Sequence, residues 1–92
     1  MIKSFDCDET AQLFAGKRAK RFANIASVAT RKLQHLDSAV TLDAMRAPPG
    51  NRLETLNGDR RGQHSIRIND QWRVYFVWKA DGAHNVEITD CH

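Results

Sequence analysis

His64-Ser-Ile-Arg-Ile-Asn-Asp-Gln-Trp-Arg-Val-Tyr-Phe-Val-Trp-Lys-Ala-Asp-Gly-Ala-His-Asn-Val-Glu-Ile-Thr-Asp-Cys-His92 is the stretch whose reading decides the fold. Trp72, Val74, Phe76 and Trp78 alternate with Arg73, Tyr75 and Val77, the period of two expected of a strand with one buried and one wetter face. Ile66 and Ile68 flank Arg67 ahead of an Asn69-Asp70 break, and Val86 and Ile88 alternate with Asn85, Glu87 and Thr89 after Asp81-Gly82. Asp-Gly favours the positive φ values of a tight hairpin, so the last two of these strands pair antiparallel. Trp72, Phe76 and Trp78 share a face with Val74 and are read as core.

Working back from that stretch, Arg52-Leu-Glu-Thr-Leu56 reads as a brief strand with Leu53 inward, closed by an Asn57-Gly58 turn. Pro48-Pro49-Gly50 enforces an irregular loop, preceded by one helical turn at Thr41 to Met45. From Arg21 to about Leu36, Phe22, Ile25, Ala26, Ala29, Leu33 and Leu36 recur at helical spacing, which predicts an amphipathic helix packed on the sheet. A shorter helix begins in Asp6 to Glu9, buries Leu13 and Phe14 and stops at Gly16; Ile2 to Phe5 is a short first strand. The predicted order is β-α-α-β-β-β-β, an α+β sandwich with two N-terminal helices on one face of a mostly antiparallel sheet. The other face stays open and carries Arg52, Glu54, Arg67, Arg73 and Tyr75 by alternation.

The chain has 92 residues, enough for one domain over 1–92 and too few for two independent cores. It has no long apolar run, and Met1 to Asp6 lacks a signal-peptide pattern, so a cytoplasmic, membrane-free setting is expected. Cys7 and Cys91 lack metal-ligand spacing; they are expected as reduced thiols, with a Cys7–Cys91 disulfide as the alternative, and neither metal nor cofactor is expected. Net charge is +3, but no acid falls between Thr10 and Leu36, where Lys17, Arg18, Lys20, Arg21, Arg31 and Lys32 lie. Arg46, Arg52, Arg60, Arg61, Arg67 and Arg73 form a second cationic series. Arginine's planar fork suits phosphate, so either a nucleic-acid partner or a solvated basic surface fits the charge.

The segment Asn51 to Arg73, with its Leu56-x-Gly58-Asp59-Arg60-x-Gly62 turn, Ser65-Ile66 and Trp72-Arg73, together with the terminal Glu87-Ile-Thr-Asp-Cys-His92, resembles the HigB toxin family. That family lies in the RelE/ParE superfamily of type II toxin–antitoxin systems, and the likeness is closest to its GraT-like branch. The resemblance implies a microbial-ribonuclease-like fold. It also implies a metal-independent mRNA endonuclease (an mRNA interferase) acting in the A site of the 70S ribosome. Its partner would be a HigA-type helix-turn-helix antitoxin, with operator DNA reached only through the complex. The family's terminal Asp-Tyr-His falls on Asp90, Cys91 and His92, its sheet arginine on Arg73, and its loop cations that contact RNA on Arg60 and Arg61. Cys91 departs from the family's tyrosine, which points to a mild toxin, and Glu54 stands where some members carry a histidine.

RNA cleavage without metal needs a base for the 2′-OH, an acid for the 5′-oxygen and cations for the phosphate. His92 is the candidate acid, with Asp90 beside it favouring the imidazolium. Glu54 is the candidate base or sugar contact, and Arg73 and Arg67 the candidate phosphate ligands. Arg67 has an alternative role as a cross-strand partner of Glu87. For His92 to join Arg73, the chain must leave the strand near Thr89. His35, His64 and His84 are expected at the surface or in turns, with no carboxylate placed beside them by any motif. Two other functions remain open: a ParE-like DNA gyrase inhibitor, and a non-catalytic basic RNA- or ribosome-binding module.

Overall fold

In the computed structural model, which describes residues 1–90, the alternating run is strand β3, Trp72–Lys79, lying between β2, His64–Arg67, and β4, Gly82–Asp90. Both pairings are antiparallel, and β1, Glu54–Thr55, adds antiparallel to β2, giving the order β1-β2-β3-β4. One face of β3 carries Val74 and Phe76 into the core with Ile66 of β2, Ile68 just beyond it, and Val86 and Ile88 of β4. Trp72 and Trp78 pack at the margin of this core, Trp72 edge-on to Phe22 with ring centroids 5.5 Å apart. Burying each such aliphatic side chain stabilises the fold by about 1.5–3 kcal/mol, so the sheet needs a cover on this face.

Helices α1, Asp8–Phe14, and α2, Ala26–Ser38, provide it, with Leu13, Ala29, Leu33 and Leu36 buried. The second helix starts five residues later than its apolar spacing predicts. Lys20–Phe22 is a 3-10 turn, and Phe22 and Ile25 reach the core from the irregular approach to α2. Three-residue spacing fits a 3-10 turn as well as an α-helix, so the apolar pattern runs unbroken through the change. The predicted turn near Thr41 is a 3-10 segment, Leu42–Arg46, that delivers Met45 to the core.

The predicted first strand is reduced to two isolated parallel bridges on the outer side of β4, Ile2 with Ala83 and Phe5 with Val86. A regular ladder cannot continue there because β4 is irregular between the partners of Tyr75 and Val77, where Asn85 takes φ 54°. Ser4 adapts to the irregularity: its hydroxyl accepts the Asn85 N–H at 2.8 Å and its carbonyl accepts the Val86 N–H at 3.0 Å. Further along, the buried hydroxyl of Thr10 on α1 accepts the Ile88 N–H at 3.0 Å, so a side chain satisfies a donor that no strand meets.

The β3–β4 connection is Ala80-Asp81, with Lys79 opposite Gly82. The positive φ falls on Gly82, at 135°, and a Cβ there would collide with the carbonyl of Met1. Gly62 also has a positive φ, 90°, but open space around it. Gly82→Ala is therefore expected to lose the cost of both strain and collision, and Gly62→Ala that of strain alone, about 1–3 kcal/mol. Urea unfolding of the two variants checks this; equal losses would mean that the Met1 contact contributes nothing.

Candidate active site

Strand register builds the open face in two rows. Glu54 opposes Ser65, Ser65 opposes Tyr75 and Tyr75 opposes Glu87; in the next row Arg67 opposes Arg73 and Arg73 opposes Thr89. Like charges directly opposite on one sheet face are destabilising, and each arginine here has a compensating neighbour. Arg67 pairs with the exposed Asp70, and Arg73 Nη2 lies 3.8 Å from Glu54 Oε2. The alternative cross-strand pair of Arg67 with Glu87 does not form, because the register sets Glu87 opposite Tyr75 and its carboxylate accepts from Arg60.

Arg73 is held on three sides. Its Nε donates to the Ser65 hydroxyl at 3.0 Å, its Nη2 donates to the Arg52 carbonyl at 2.9 Å, and Glu54 stands beyond. The side chain is only 13% exposed, and Ser65 is fully buried. Arg52 adopts the left-handed conformation, φ 45° and ψ 56°, at the end of the 3-10 turn Pro49–Asn51. A non-glycine residue there costs about 1–3 kcal/mol; its carbonyl is the one that receives Arg73. Two of these three acceptors are neutral, so the guanidinium is oriented with little loss of its positive potential.

Arg60 forms the second cationic point. It projects from the 3-10 turn Gly58–Arg60, donates from Nη1 to Glu87 at 2.8 Å and to Gln63 at 3.0 Å, and lies 4.1 Å from the centre of the Tyr75 ring. Arg61, next in the chain, is exposed.

Asp90 is placed differently from Arg73. It opposes Trp72, and strand alternation puts that pair on the helix-covered side, where Gln71 Nε2 donates to Asp90 Oδ2 at 3.1 Å. The strand keeps its register through Thr89 and Asp90; its irregularity lies at Asn85 instead. Among the described residues β4 therefore stays paired to Asp90, whose partner Trp72 is anchored on Phe22; the expected departure that would bring His92 to Arg73 concerns a tail outside them. Cys91 and His92 lie outside the described residues.

Two polar residues to which the sequence assigned no role organise the surroundings. Ser65 could have been noticed as a small hydroxyl at an outward strand position among arginines. Asn51 carried no signal, yet it is fully buried, donates to the carbonyls of Met45 and Ala47, both at 3.1 Å, and accepts from Lys32 Nζ. Burial, then Arg31 and Arg67, lower the Lys32 ammonium below its ordinary value. His84 does have a carboxylate neighbour: Asp81 Oδ1 lies 2.7 Å from its Nε2 across the hairpin, and that hydrogen bond lowers the Asp81 carboxyl. An open groove of about 550 Å³ lies between α1 and α2, lined by Leu13, Lys17, Thr30 and Arg31, none of which is on the arginine face. Among the described residues no group of three His, Cys, Asp or Glu side chains could hold a metal, and no helix is long and apolar enough to cross a membrane.

His64 sits at the end of β2 against Phe76, ring centroids 5.9 Å apart, with Nδ1 3.1 Å from the Thr55 hydroxyl. Loss of solvation lowers its pKa from the ordinary 6.5. The neutral form is the one the fold favours, so this stabilisation is complete above about pH 6.5 and is lost as pH falls below it toward the folded value. Relative to His64→Gln, the wild-type chain is expected to lose unfolding free energy between pH 7.5 and 5. Urea titrations across that range check it, and parallel curves would remove the assignment.

Comparison with known proteins gives the face a context. Residues 3–92 match the family described as the RelE-like toxin of type II toxin-antitoxin system HigB. Toxin HigB-1 of Vibrio cholerae serotype O1 is 45% identical over 61 residues, which cover 66% of this chain and 63% of that protein. An uncharacterized protein of Haemophilus influenzae is 30% identical over 64 residues, covering 70% of this chain and 63% of its own length. The matched stretch thus spans less than two thirds of either relative, and neither places the chain in a GraT-like branch. With the fit running over residues 3–92 and two helices backing a four-stranded antiparallel sheet, the chain belongs to the HigB family of RelE-like toxins of type II toxin–antitoxin systems.

Proposed function

We propose that the open face binds RNA and that the chain is a ribosome-dependent endoribonuclease, cutting mRNA in the A site to stop translation. The observation that carries this reading is Arg73, fixed by Ser65 and by the Arg52 carbonyl on a face without helices, beside Arg67 and within 3.8 Å of Glu54. A guanidinium held in advance stabilises charge on a phosphate with little reorganisation as the charge grows.

In this reading the 2′-oxygen attacks the adjacent phosphorus, its proton passes to Glu54, and the bond from phosphorus to the 5′-oxygen breaks. His92 supplies the proton to the leaving 5′-oxygen, giving a 2′,3′-cyclic phosphate and a 5′-hydroxyl. Arg73 and Arg67 hold the phosphate oxygens, Arg60 and Arg61 hold flanking phosphates, and Asp90 and Cys91 support the tail. These side chains fill the acid, base and charge-stabilising roles without a metal or cofactor. The partners are the 70S ribosome with its mRNA and a HigA-type helix-turn-helix antitoxin that neutralises the toxin and carries the complex to operator DNA. The setting is the cytoplasm, where translating ribosomes are.

Primer extension on an mRNA under translation in a purified system, beside the same RNA without ribosomes, tests the reading. Cuts at A-site codons in the first lane only are expected, and uncut RNA in both lanes would end the nuclease assignment. Arg73→Ala should lower the cleavage rate by about 10²–10³, the scale of losing one fixed donor to developing charge. Cys91→Tyr should cleave faster than the wild-type chain, since an aromatic ring can stack on a base where a thiol cannot; equal rates would refute that part.

A further inference from the structure

Tyr75 is the aromatic residue of the arginine face, two residues along β3 from Arg73, and it opposes Ser65 and Glu87 in the row next to the one Arg73 occupies. Tyr75 is 7% exposed, and the guanidinium of Arg60 lies over its ring at 4.1 Å. Arg60 belongs to the β1–β2 connection, not to the sheet. Its turn starts at Gly58 and is followed by Gly62, both with positive φ and with nothing near their absent side chains. What holds the guanidinium in place is Glu87 at 2.8 Å and Gln63 at 3.0 Å, and the Arg60 and Glu87 side chains are 36% and 23% exposed.

We propose that Tyr75 is a stacking platform for one unpaired nucleobase of the substrate RNA, and that Arg60 covers it in the free protein and yields the place to the base. This rests on the RNA-cleaving reading and deepens it. A partly exposed ion pair is worth at most about fivefold in an equilibrium, and a guanidinium on an aromatic ring from about twofold at an exposed site to about 30-fold when desolvated. A base stacked on an aromatic ring is worth between about 5-fold and 160-fold, and Arg60 does not lose a partner, since a phosphate replaces Glu87 as its acceptor. The exchange therefore favours RNA when the stack lies in the upper part of that range. Strand rise sets side chains two residues apart at about 7 Å, so a base on Tyr75 leaves its own or the neighbouring phosphate within reach of Arg73.

Glu87 acquires a role in this scheme. It stands in for the RNA phosphate while the face is empty, keeping a basic side chain over the aromatic ring.

The test is single-turnover cleavage on ribosomes programmed with an mRNA, intact or carrying one abasic nucleotide at each A-site codon position in turn. For the wild-type chain, removing the base at one position is expected to raise the half-saturating toxin concentration about tenfold. Tyr75→Leu should raise it about tenfold on the intact mRNA and should not respond further to the abasic nucleotide. Tyr75→Phe, which keeps the ring, should retain the discrimination between the two RNAs. Both RNAs are compared with the same variant, so a general loss of stability does not imitate the pattern. Glu87→Gln, which loosens the cover, should lower the half-saturating concentration two- to fivefold, and a rise would overturn the exchange. If Tyr75→Leu and the abasic nucleotide multiply, or if Tyr75→Leu cuts like the wild type, the base does not stack on Tyr75. Absence of any cutting by the wild-type chain would instead overturn the endoribonuclease reading, and this inference with it.

Discussion

A one-residue slip of β3 against its neighbours would turn Arg73 and Tyr75 into the core and Val74 and Phe76 into water, because side chains alternate strictly along a strand. The fold and the candidate chemistry thus rest on one register. It is secured from several directions: by the two-residue connection to β4, by the hydrophobic set facing α2, and by the Arg73 bond to Ser65 across β2. The last of these ties a prospective phosphate ligand to the strand pairing itself, so the site is assembled as soon as the sheet is.

The charges of the open face are arranged so that orientation does not cancel potential. Asp70 and Glu87 offset Arg67 and Arg60 directly, whereas Arg73 is steered mostly by a hydroxyl and a backbone carbonyl, with Glu54 at longer range. An arginine saturated by carboxylates would be as well fixed and far less attractive to a phosphate. The left-handed Arg52 is the local cost of this arrangement, and it sits beside the residue that profits from it.

Much of this was legible in the sequence because it depends on periodicity. The strand around Phe76, the core face, the outward arginines and the two helices all follow from spacing, and the match to the toxin family agrees with the Asn51 to Arg73 segment. What spacing could not carry was pairing. Whether Arg67 met Glu87 or faced Arg73 depended on strand register, which side-chain periods alone do not set. The start of α2 was blurred because Phe22 and Ile25 serve the core equally well from a 3-10 turn. Ser65 and Asn51 carried no legible role because a hydroxyl and an amide announce themselves only through partners distant in sequence. Asp90 shows the limit from the other side: its motif position was clear, but the face it occupies is decided by Trp72 opposite it.

The N-terminal residues that failed to make a proper strand have a different importance. Met1 to Asp6 accept or donate the outward backbone hydrogen bonds of Ala83 and Val86, and Thr10 takes that of Ile88. An uncovered outer strand offers its backbone to any extended chain, and proteins escape such edge-to-edge association by covering or shortening the strand. Here one border of the sheet is covered by residues 1–6 and the helix that follows, and the other is only the two residues of β1. A chain whose first residues were cut away would expose the outward donors of β4, and its characteristic failure would be self-association through that border before any loss of the core.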